Sequence, residues 1–387
     1  MVFKTYKMND MKGKQGMVCM GLLLVLSSCH TGKQITASGL QRKDFQTEVN
    51  GQHTDLFTLS NKQGMEVCIT NYGARVVSIL VPDRNGKRKD VVCGFSTITE
   101  YMEQRQNFGS TVGRYIGRIL SARFTLDGVE YKLVPNNGKS GHISHGGNPG
   151  FADRIWKVEQ ADTHRVCLSY LSPDGENGFP GNLKVTLVYS LGEDDNALDL
   201  TYEATTDAPT VLNLSHHSFF NISGNFTKSV EDQQLWVDAD RFTPYDDKKC
   251  VTGEYLQVAG TPLDFRMPHA IGECIDADHP QLKVVNGYDH TWELNTKGDD
   301  TRPAAWVYDP ASGRKMEIFT TEPGMQIYTG NGLKGKMTGK GGIAYPFRSA
   351  VCFETMHFQD SPNQPGFPST VLRPGEVFRS HTVYKFE

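Results

Sequence analysis

Apolar and polar residues alternate with a period of two along much of the chain. The alternation is clearest in residues 65–70, 184–189 and 197–202. Successive side chains of a β-strand point to opposite faces of its sheet, so this period is typical of strands with one buried face. The pattern therefore predicts a protein built mainly from β-strands.

Turn signals separate these runs. They include Asp-Arg-Asn-Gly at 83–86, Asp-Gly at 127–128 and Asp-Pro-Ala-Ser-Gly at 309–313. One short helix is predicted after Thr97, which forms a capping box with Glu100. The chain has no long amphipathic pattern and no strand–helix alternation, which excludes Rossmann and TIM-barrel architectures. We predict an all-β protein whose residues 45–387 form one large antiparallel β-sandwich.

The amino-terminal residues have a different pattern. Lys12 and Lys14 precede an apolar run at residues 17–26, followed by Leu-Ser-Ser-Cys at 26–29. A basic segment, a short apolar segment and small residues are typical of a secretory signal, and the run is too short to span a bilayer. We interpret residues 1–28 as a lipoprotein signal peptide, Cys29 as the lipidated residue, and the polar residues 29–44 as a tether. A plain signal peptide is the alternative. The expected location is the periplasm, with the chain anchored to a bacterial membrane.

Composition adds few constraints. A net charge of −4 and a pI near 6.3 give no reason to expect nucleic acid or an anionic membrane surface as a partner. The cysteines after Cys29 are widely spaced and form no CxxC motif, so we expect mostly buried free thiols and no zinc site.

Two adjacent histidines stand out within residues 212–224. His216 and His217 follow apolar residues of strand type, and neighbouring strand residues face opposite ways, so only one of them can serve a given pocket. Imidazole is well suited to proton transfer near neutral pH. The alternative is a histidine that caps a strand or satisfies a buried carbonyl group.

Glu354 lies inside an apolar run at residues 350–357. A carboxylate in a buried strand is costly unless it is paired or functional, and burial would raise its pKa toward the range that suits a general base. The alternative is an edge strand on which Glu354 faces water.

Four further segments combine polar side chains with glycine or aromatic residues, at 108–119, 143–151, 286–292 and 321–331. Each has an ordinary structural explanation when taken alone, such as a glycine-kinked strand or a turn. Together, and in this order, they resemble the aldose 1-epimerase (galactose mutarotase) family. The matching motifs lie at residues 113–119, 145–147, 217–222, 287–290, 323–331 and 353–355.

The resemblance implies a large antiparallel sandwich with an open sugar-binding cleft. It implies that Glu354 is the general base and His217 the general acid in the interconversion of α and β anomers of free aldohexoses such as glucose and galactose. It also implies that sugar hydroxyls are bound by Arg118, His145, Asp289 and Gln326. The reaction needs one acid and one base, so the resemblance implies no cofactor and no metal.

The chain departs from the family pattern at two positions. Gly117 and His216 stand where the family commonly has asparagine. If the missing amide of residue 117 is a binding contact, Gly117→Asn is expected to lower KM. Two alternative functions remain open at this point: a non-catalytic sugar-binding lipoprotein, and another carbohydrate-active enzyme on a similar sandwich. Hydrolases usually use two carboxylates, not a carboxylate and a histidine.

Overall fold

The structure, a computed structural model, describes residues 34–387. Three larger sheets contain most of the strands, and every pair of neighbouring strands in them is antiparallel. The largest has nine strands, in the order Lys157–Ala161, Arg165–Ser172, Leu183–Leu191, Ala197–Thr206, Phe378–Phe386, Lys315–Thr320, Ala305–Tyr308, Gln234–Val237 and His269–Ala270. The predicted all-β class and antiparallel pairing are confirmed.

The second sheet has six strands, in the order Phe219–Phe220, Val351–Met356, Gly324–Tyr328, Asp289–Glu293, Arg241–Thr243 and Leu256–Gln257. The third has four strands, Leu56–Ser60, Glu66–Thr70, Arg75–Pro82 and Arg88–Asp90. Five two-stranded pairs complete the set: Glu48–Val49 with Gln52–His53, Ser110–Val112 with Ser215–His217, Arg118–Ile119 with Ile143–Ser144, Arg123–Leu126 with Val129–Lys132, and Thr210–Val211 with Val371–Leu372.

The main apolar core contains side chains from all three larger sheets. Leu187 of the nine-stranded sheet, Phe353 of the six-stranded sheet and Val67 of the four-stranded sheet belong to this one cluster. The nine-stranded sheet thus packs against the other two, and strict alternation leaves every second residue of their strands on the opposite face. That opposite face of the six-stranded sheet carries the site described below.

Helices are short. The predicted helix is Ile98–Gln104, and Thr97 and Glu100 form the expected capping box at its start. The sequence interpretation missed a second helix, Pro280–Val285, which has proline in its first turn and ends at Asn286 in the left-handed conformation. The remaining helical turns are 3₁₀ segments: Arg42–Phe45, Leu120–Ala122, Gly138–Ser140, Phe151–Asp153, Glu176–Gly178, Ile271–Glu273, Lys340–Gly342 and Ser361–Asn363.

The described part of the predicted tether is folded. The backbone N–H groups of Ala37 and Ser38 donate to the Glu66 carboxylate at 3.0 and 3.1 Å, and Leu40 is buried. These hydrogen bonds join segments that are far apart in the chain, which an apolar periodicity cannot reveal, so the described residues of the predicted tether belong to the folded unit. Cys29 and the predicted signal peptide lie outside the described residues. Within residues 34–387, no helix has the length and apolar character needed to cross a membrane.

Candidate active site

The strand Val351–Met356 places Glu354 in a cavity. Val351 and Phe353 point into the main core, so the alternate residue Glu354 faces the other side of the sheet. The strand Val351–Met356 is paired with another strand on each side, so Glu354 is only 3% exposed. The edge-strand alternative considered from the sequence is therefore excluded.

His217 faces Glu354 across this cavity. Its strand, Ser215–His217, pairs with Ser110–Val112, and its Nε2 atom lies 3.3 Å from Glu354 Oε1. The ring of Phe219 stacks on the imidazole at a centroid distance of 5.0 Å and an interplanar angle of 16°. The strand geometry and this stacking fix the imidazole beside Glu354, where both side chains can exchange a proton with a group bound in the cavity.

His216 points the opposite way, as expected for the next residue in a strand. Its Nε2 atom lies 2.6 Å from Ser218 Oγ, and its ring packs between Tyr189 and Tyr384 at 6.2 and 6.1 Å. Burial lowers the pKa of His216 to about 3, which keeps it neutral. His216 is thus a core histidine and does not line the cavity.

The environment of the Glu354–His217 pair opposes net charge. Burial, with a further contribution from the nearby Asp289 carboxylate, raises the pKa of Glu354 well above its ordinary 4.5. Burial, reinforced by His145, lowers the pKa of His217 well below its ordinary 6.5. A second proton would make the pair a buried cation, and loss of the shared proton would make it a buried anion. Burial thus favours the singly protonated pair over the doubly protonated and the unprotonated forms, and the two groups titrate as a unit.

Polar side chains line the rest of the cavity, which has a volume of about 250 Å³. Gln326 lies directly opposite Glu354 on the neighbouring strand. Its Nε2 donates to Asp289 Oδ1 at 2.6 Å, and its Oε1 accepts from Thr291 Oγ1 at 2.5 Å. Burial raises the pKa of Asp289, while Arg118 and the Gln326 hydrogen bond oppose that rise. This cross-strand network holds an amide and a carboxyl group at the cavity wall.

Arg118 and His145 complete the cavity from a different part of the chain. Arg118 belongs to the strand Arg118–Ile119, which pairs with Ile143–Ser144, so His145 follows directly beside it. His145 adopts a left-handed φ of +52° and donates its backbone N–H to the Gly117 carbonyl at 2.9 Å. Burial and the Arg118 charge lower the pKa of His145 to about 4. It therefore offers a neutral imidazole to a ligand at pH 7.

All six site residues proposed from the sequence motifs line this one cavity: Arg118, His145, His217, Asp289, Gln326 and Glu354. Two other residues of the segments that carry these motifs, Arg114 and Trp292, have structural positions instead. Arg114 is buried and donates to carbonyl groups, including those of Pro180 and Gly181 at 2.8 and 3.0 Å. Trp292 lies in the main core.

The sequence interpretation missed Gln359 and Tyr245. Gln359 lines the cavity beside Gly117, and its Nε2 donates to Tyr245 Oη at 2.7 Å. Both residues lie outside the six matching motifs. The sequence carried only an indirect signal for Gln359. Gly117 stands where the family commonly has asparagine, and a glycine leaves room for a side chain from another part of the chain.

Among the described residues, one group has donor atoms close enough to share a metal ion. His217, Cys352 and Glu354 each offer a ligand atom within 4.8 Å of the others. Burial raises the pKa of the Cys352 thiol well above 9.0, which disfavours the thiolate that binds metals. Residues 68, 93, 167, 250, 274 and 352 are free cysteines, as expected, but only half of them, and not most, are buried.

Residues 55–385 match the family model described as Aldose 1-epimerase. The chain belongs to the aldose 1-epimerase family. The match spans all three larger sheets and every residue of the cavity, so the family resemblance seen in the six short motifs extends to the whole described sandwich.

Individual relatives agree with this membership. The chain is 40% identical to a galactose mutarotase from Bos taurus over 85% of this chain and 93% of that protein. It is 36% identical to an aldose 1-epimerase from Escherichia coli strain K12 over 87% and 96% of the two chains. The crystal structure of an aldose epimerase homologue from C. elegans superposes with a TM-score of 0.79 at 30% identity, covering 86% of this chain and 99% of that one.

Proposed function

We propose that this aldose 1-epimerase family member interconverts the α and β anomers of free aldohexoses such as glucose and galactose, with Glu354 as general base and His217 as general acid. The observation that carries the proposal is the buried Glu354–His217 contact of 3.3 Å, which opens onto a cavity lined by polar side chains. A pure binding protein has no need of a buried carboxylate whose charged form is destabilised.

The chemistry uses the pair in its singly protonated state, with the shared proton on His217 and Glu354 ionised when ring opening begins. Glu354 removes the proton from the C1 hydroxyl while His217 gives a proton to the ring oxygen, the bond between C1 and the ring oxygen breaks, and an aldehyde forms. Rotation about the C1–C2 bond presents the other face of the carbonyl group, and the proton transfers reverse on ring closure. The pair gains one proton and loses one in each half-reaction, so its total charge never changes. A site that disfavours net charge on the pair suits such a reaction.

The remaining cavity residues bind and orient the sugar. Gln326 and Asp289 are already held by their mutual hydrogen bond of 2.6 Å, so little side-chain freedom is lost when a hydroxyl binds. Arg118 donates hydrogen bonds, and His145 contributes a neutral imidazole. A fixed arrangement of donors and acceptors keeps the C1 hydroxyl next to the base and the ring oxygen next to the acid.

Polarimetry with freshly dissolved α-glucose and α-galactose tests the proposal. The purified protein should bring the optical rotation to equilibrium faster than buffer alone, and Glu354→Gln should not. A protein that binds these sugars without accelerating mutarotation would instead be a sugar-binding lipoprotein.

We also propose that the chain is exported and anchored through a lipid on Cys29. The support is the Leu-Ser-Ser-Cys sequence at residues 26–29 after a basic and an apolar segment. Cys29→Ser should move the protein from the membrane fraction to a soluble fraction or block its maturation. Mass spectrometry that finds an unmodified mature terminus on membrane-derived protein would contradict the anchor.

A further inference from the structure

No free space lies beside Gly117 in the direction that a side chain at this position would take. It lies in the cavity wall next to Arg118 and adopts a φ of +77°. A Cβ atom on Gly117 would lie 2.6 Å from Cγ and 3.1 Å from Cδ of Gln359. These distances are well inside van der Waals contact, so the side chain of Gln359 occupies the volume that a larger residue at 117 would need.

A chain of hydrogen bonds fixes the orientation of the Gln359 amide. The Gln326 nitrogen donates to Asp289 and its oxygen accepts from Thr291, so the Gln326 oxygen faces away from Asp289. That oxygen lies 3.4 Å from Gln359 Nε2, which also donates to Tyr245 Oη at 2.7 Å. Because the Gln326 oxygen can only accept, it is the nitrogen of Gln359 that must point toward it.

The oxygen of Gln359 is left to bind something else. Within the described part of the chain, both hydrogen bonds of its amide use the nitrogen. The residue is 5% exposed and lines the same cavity as Glu354 and His217. A buried, oriented acceptor at a cavity wall fits a donor hydroxyl of a bound ligand.

We propose that Gln359 is a substrate-binding residue. Its side-chain amide, which comes from the segment after the strand Val351–Met356, supplies the contact that Gly117 cannot make because it has no side chain. The inference rests on the proposed function, because the ligand is the aldohexose of that reaction. Gln359 Oε1 accepts a hydrogen bond from a sugar hydroxyl on the side of the cavity formed by Arg118 and Gln326. Gly117 and Gln359 thus form one unit, in which the glycine leaves room for the glutamine.

This arrangement reverses the outcome expected from the sequence for Gly117→Asn. The sequence alone suggested a gained contact and a lower KM. In the structure, the new side chain would collide with Gln359 and displace its amide, so Gly117→Asn by itself should raise KM. Asparagine tolerates a left-handed backbone better than most residues, so the backbone is not the main obstacle.

Four proteins test the proposal: the wild type, Gln359→Ala, Gly117→Asn and the double variant, each assayed by polarimetry over a range of galactose and glucose concentrations. Gln359→Ala should raise KM about 2- to 12-fold, the effect of one neutral hydrogen bond, with kcat within about twofold of the wild type. In the double variant, the asparagine enters the volume that Gln359 vacates, so KM should return toward the wild-type value. Gln257→Ala is the matched control, because Gln257 is exposed on the strand Leu256–Gln257 and should leave KM unchanged.

An unchanged KM in Gln359→Ala would overturn the inference, whether or not kcat falls. If kcat falls while KM stays unchanged, Gln359 acts only by positioning Gln326. A wild type without turnover would instead refute the proposed function, and equilibrium binding of galactose to the wild type and to Gln359→Ala would then test the contact separately. If the double variant fails to fold, the single variant Gln359→Ala still decides the question.

Discussion

Replacing Glu354 with glutamine separates its chemistry from its shape. The amide has nearly the same size as the carboxyl group but cannot take the proton from the C1 hydroxyl. General acid–base groups contribute about 10²- to 10⁴-fold, or about 2.7–5.4 kcal/mol of activation free energy. We expect Glu354→Gln to lower kcat by a factor near the upper end of this range. Glu354 is only 3% exposed, so water has little access to act as the base in its place. Of the described residues lining the cavity, the other carboxyl group is Asp289, which is bound to Gln326.

The same substitution should not destabilise the fold. A carboxyl group whose pKa is raised on folding contributes most to stability below its unfolded pKa, here about 4.5, and this contribution is lost as pH rises through the raised folded pKa. The glutamine amide does not ionise, so the variant loses no stability in this way as pH rises. The melting temperature of Glu354→Gln should therefore equal or exceed that of the wild type, and the difference should grow with increasing pH.

Polarimetry gives kcat, and thermal unfolding monitored by circular dichroism gives the stability. Glu322→Gln is a matched control, because Glu322 also forms a buried pair with a histidine, 2.7 Å from His357 Nδ1, but neither residue lines the cavity. The control should keep its turnover per folded molecule. Near-full activity in Glu354→Gln, or an equal loss in Glu322→Gln, would refute the assignment of Glu354 as base.

The remaining predictions concern the acid, the pH dependence and metals. His217→Asn should reduce kcat by a factor similar to that of Glu354→Gln. His216→Asn should lower the melting temperature but keep most of the turnover per folded molecule. Equal losses of kcat in the two histidine variants would contradict the opposite orientations of the two rings. The pH profile of kcat/KM should be a broad bell, with its acid limb below pH 6.5, because burial lowers the pKa of His217 and raises that of Glu354. An acid limb above pH 6.5 would argue against His217. Activity should survive exhaustive treatment with EDTA, and loss that a divalent ion restores would show that the reaction needs a metal, for which His217, Cys352 and Glu354 are the candidate ligands among the described residues.

The sequence was informative where local pattern and chemistry coincide. The capping box at Thr97 and the apolar run around Glu354 each specify a conformation within a few residues, and the structure has both. The choice between His216 and His217 followed from the period of two, together with the family motif. Pairing partners far apart in sequence, such as Ala197–Thr206 beside Phe378–Phe386, carry no local signal and could not be predicted.

Gln359 shows the limit more sharply. A glutamine after a strand is ordinarily exposed, and nothing around it in the sequence marks it as buried. Its role depends on a volume left empty by Gly117, 242 positions earlier in the numbering (359 − 117). Such compensation between distant residues is visible only when both are seen in three dimensions. The helix Pro280–Val285 was missed for a simpler reason, since six residues are too few to establish a helical period.

The position of Phe378–Phe386 in the nine-stranded sheet has a consequence for how the protein is made. This strand joins Ala197–Thr206 to Lys315–Thr320, yet it follows both in the chain. Until the ribosome has synthesised it, the two halves of the sheet each present an unpaired edge, which is a surface prone to aggregation. The sandwich therefore cannot close during translation of the earlier strands. The export proposed above would benefit from this delay, because a chain that has not yet completed its sheet can still be translocated in an extended conformation.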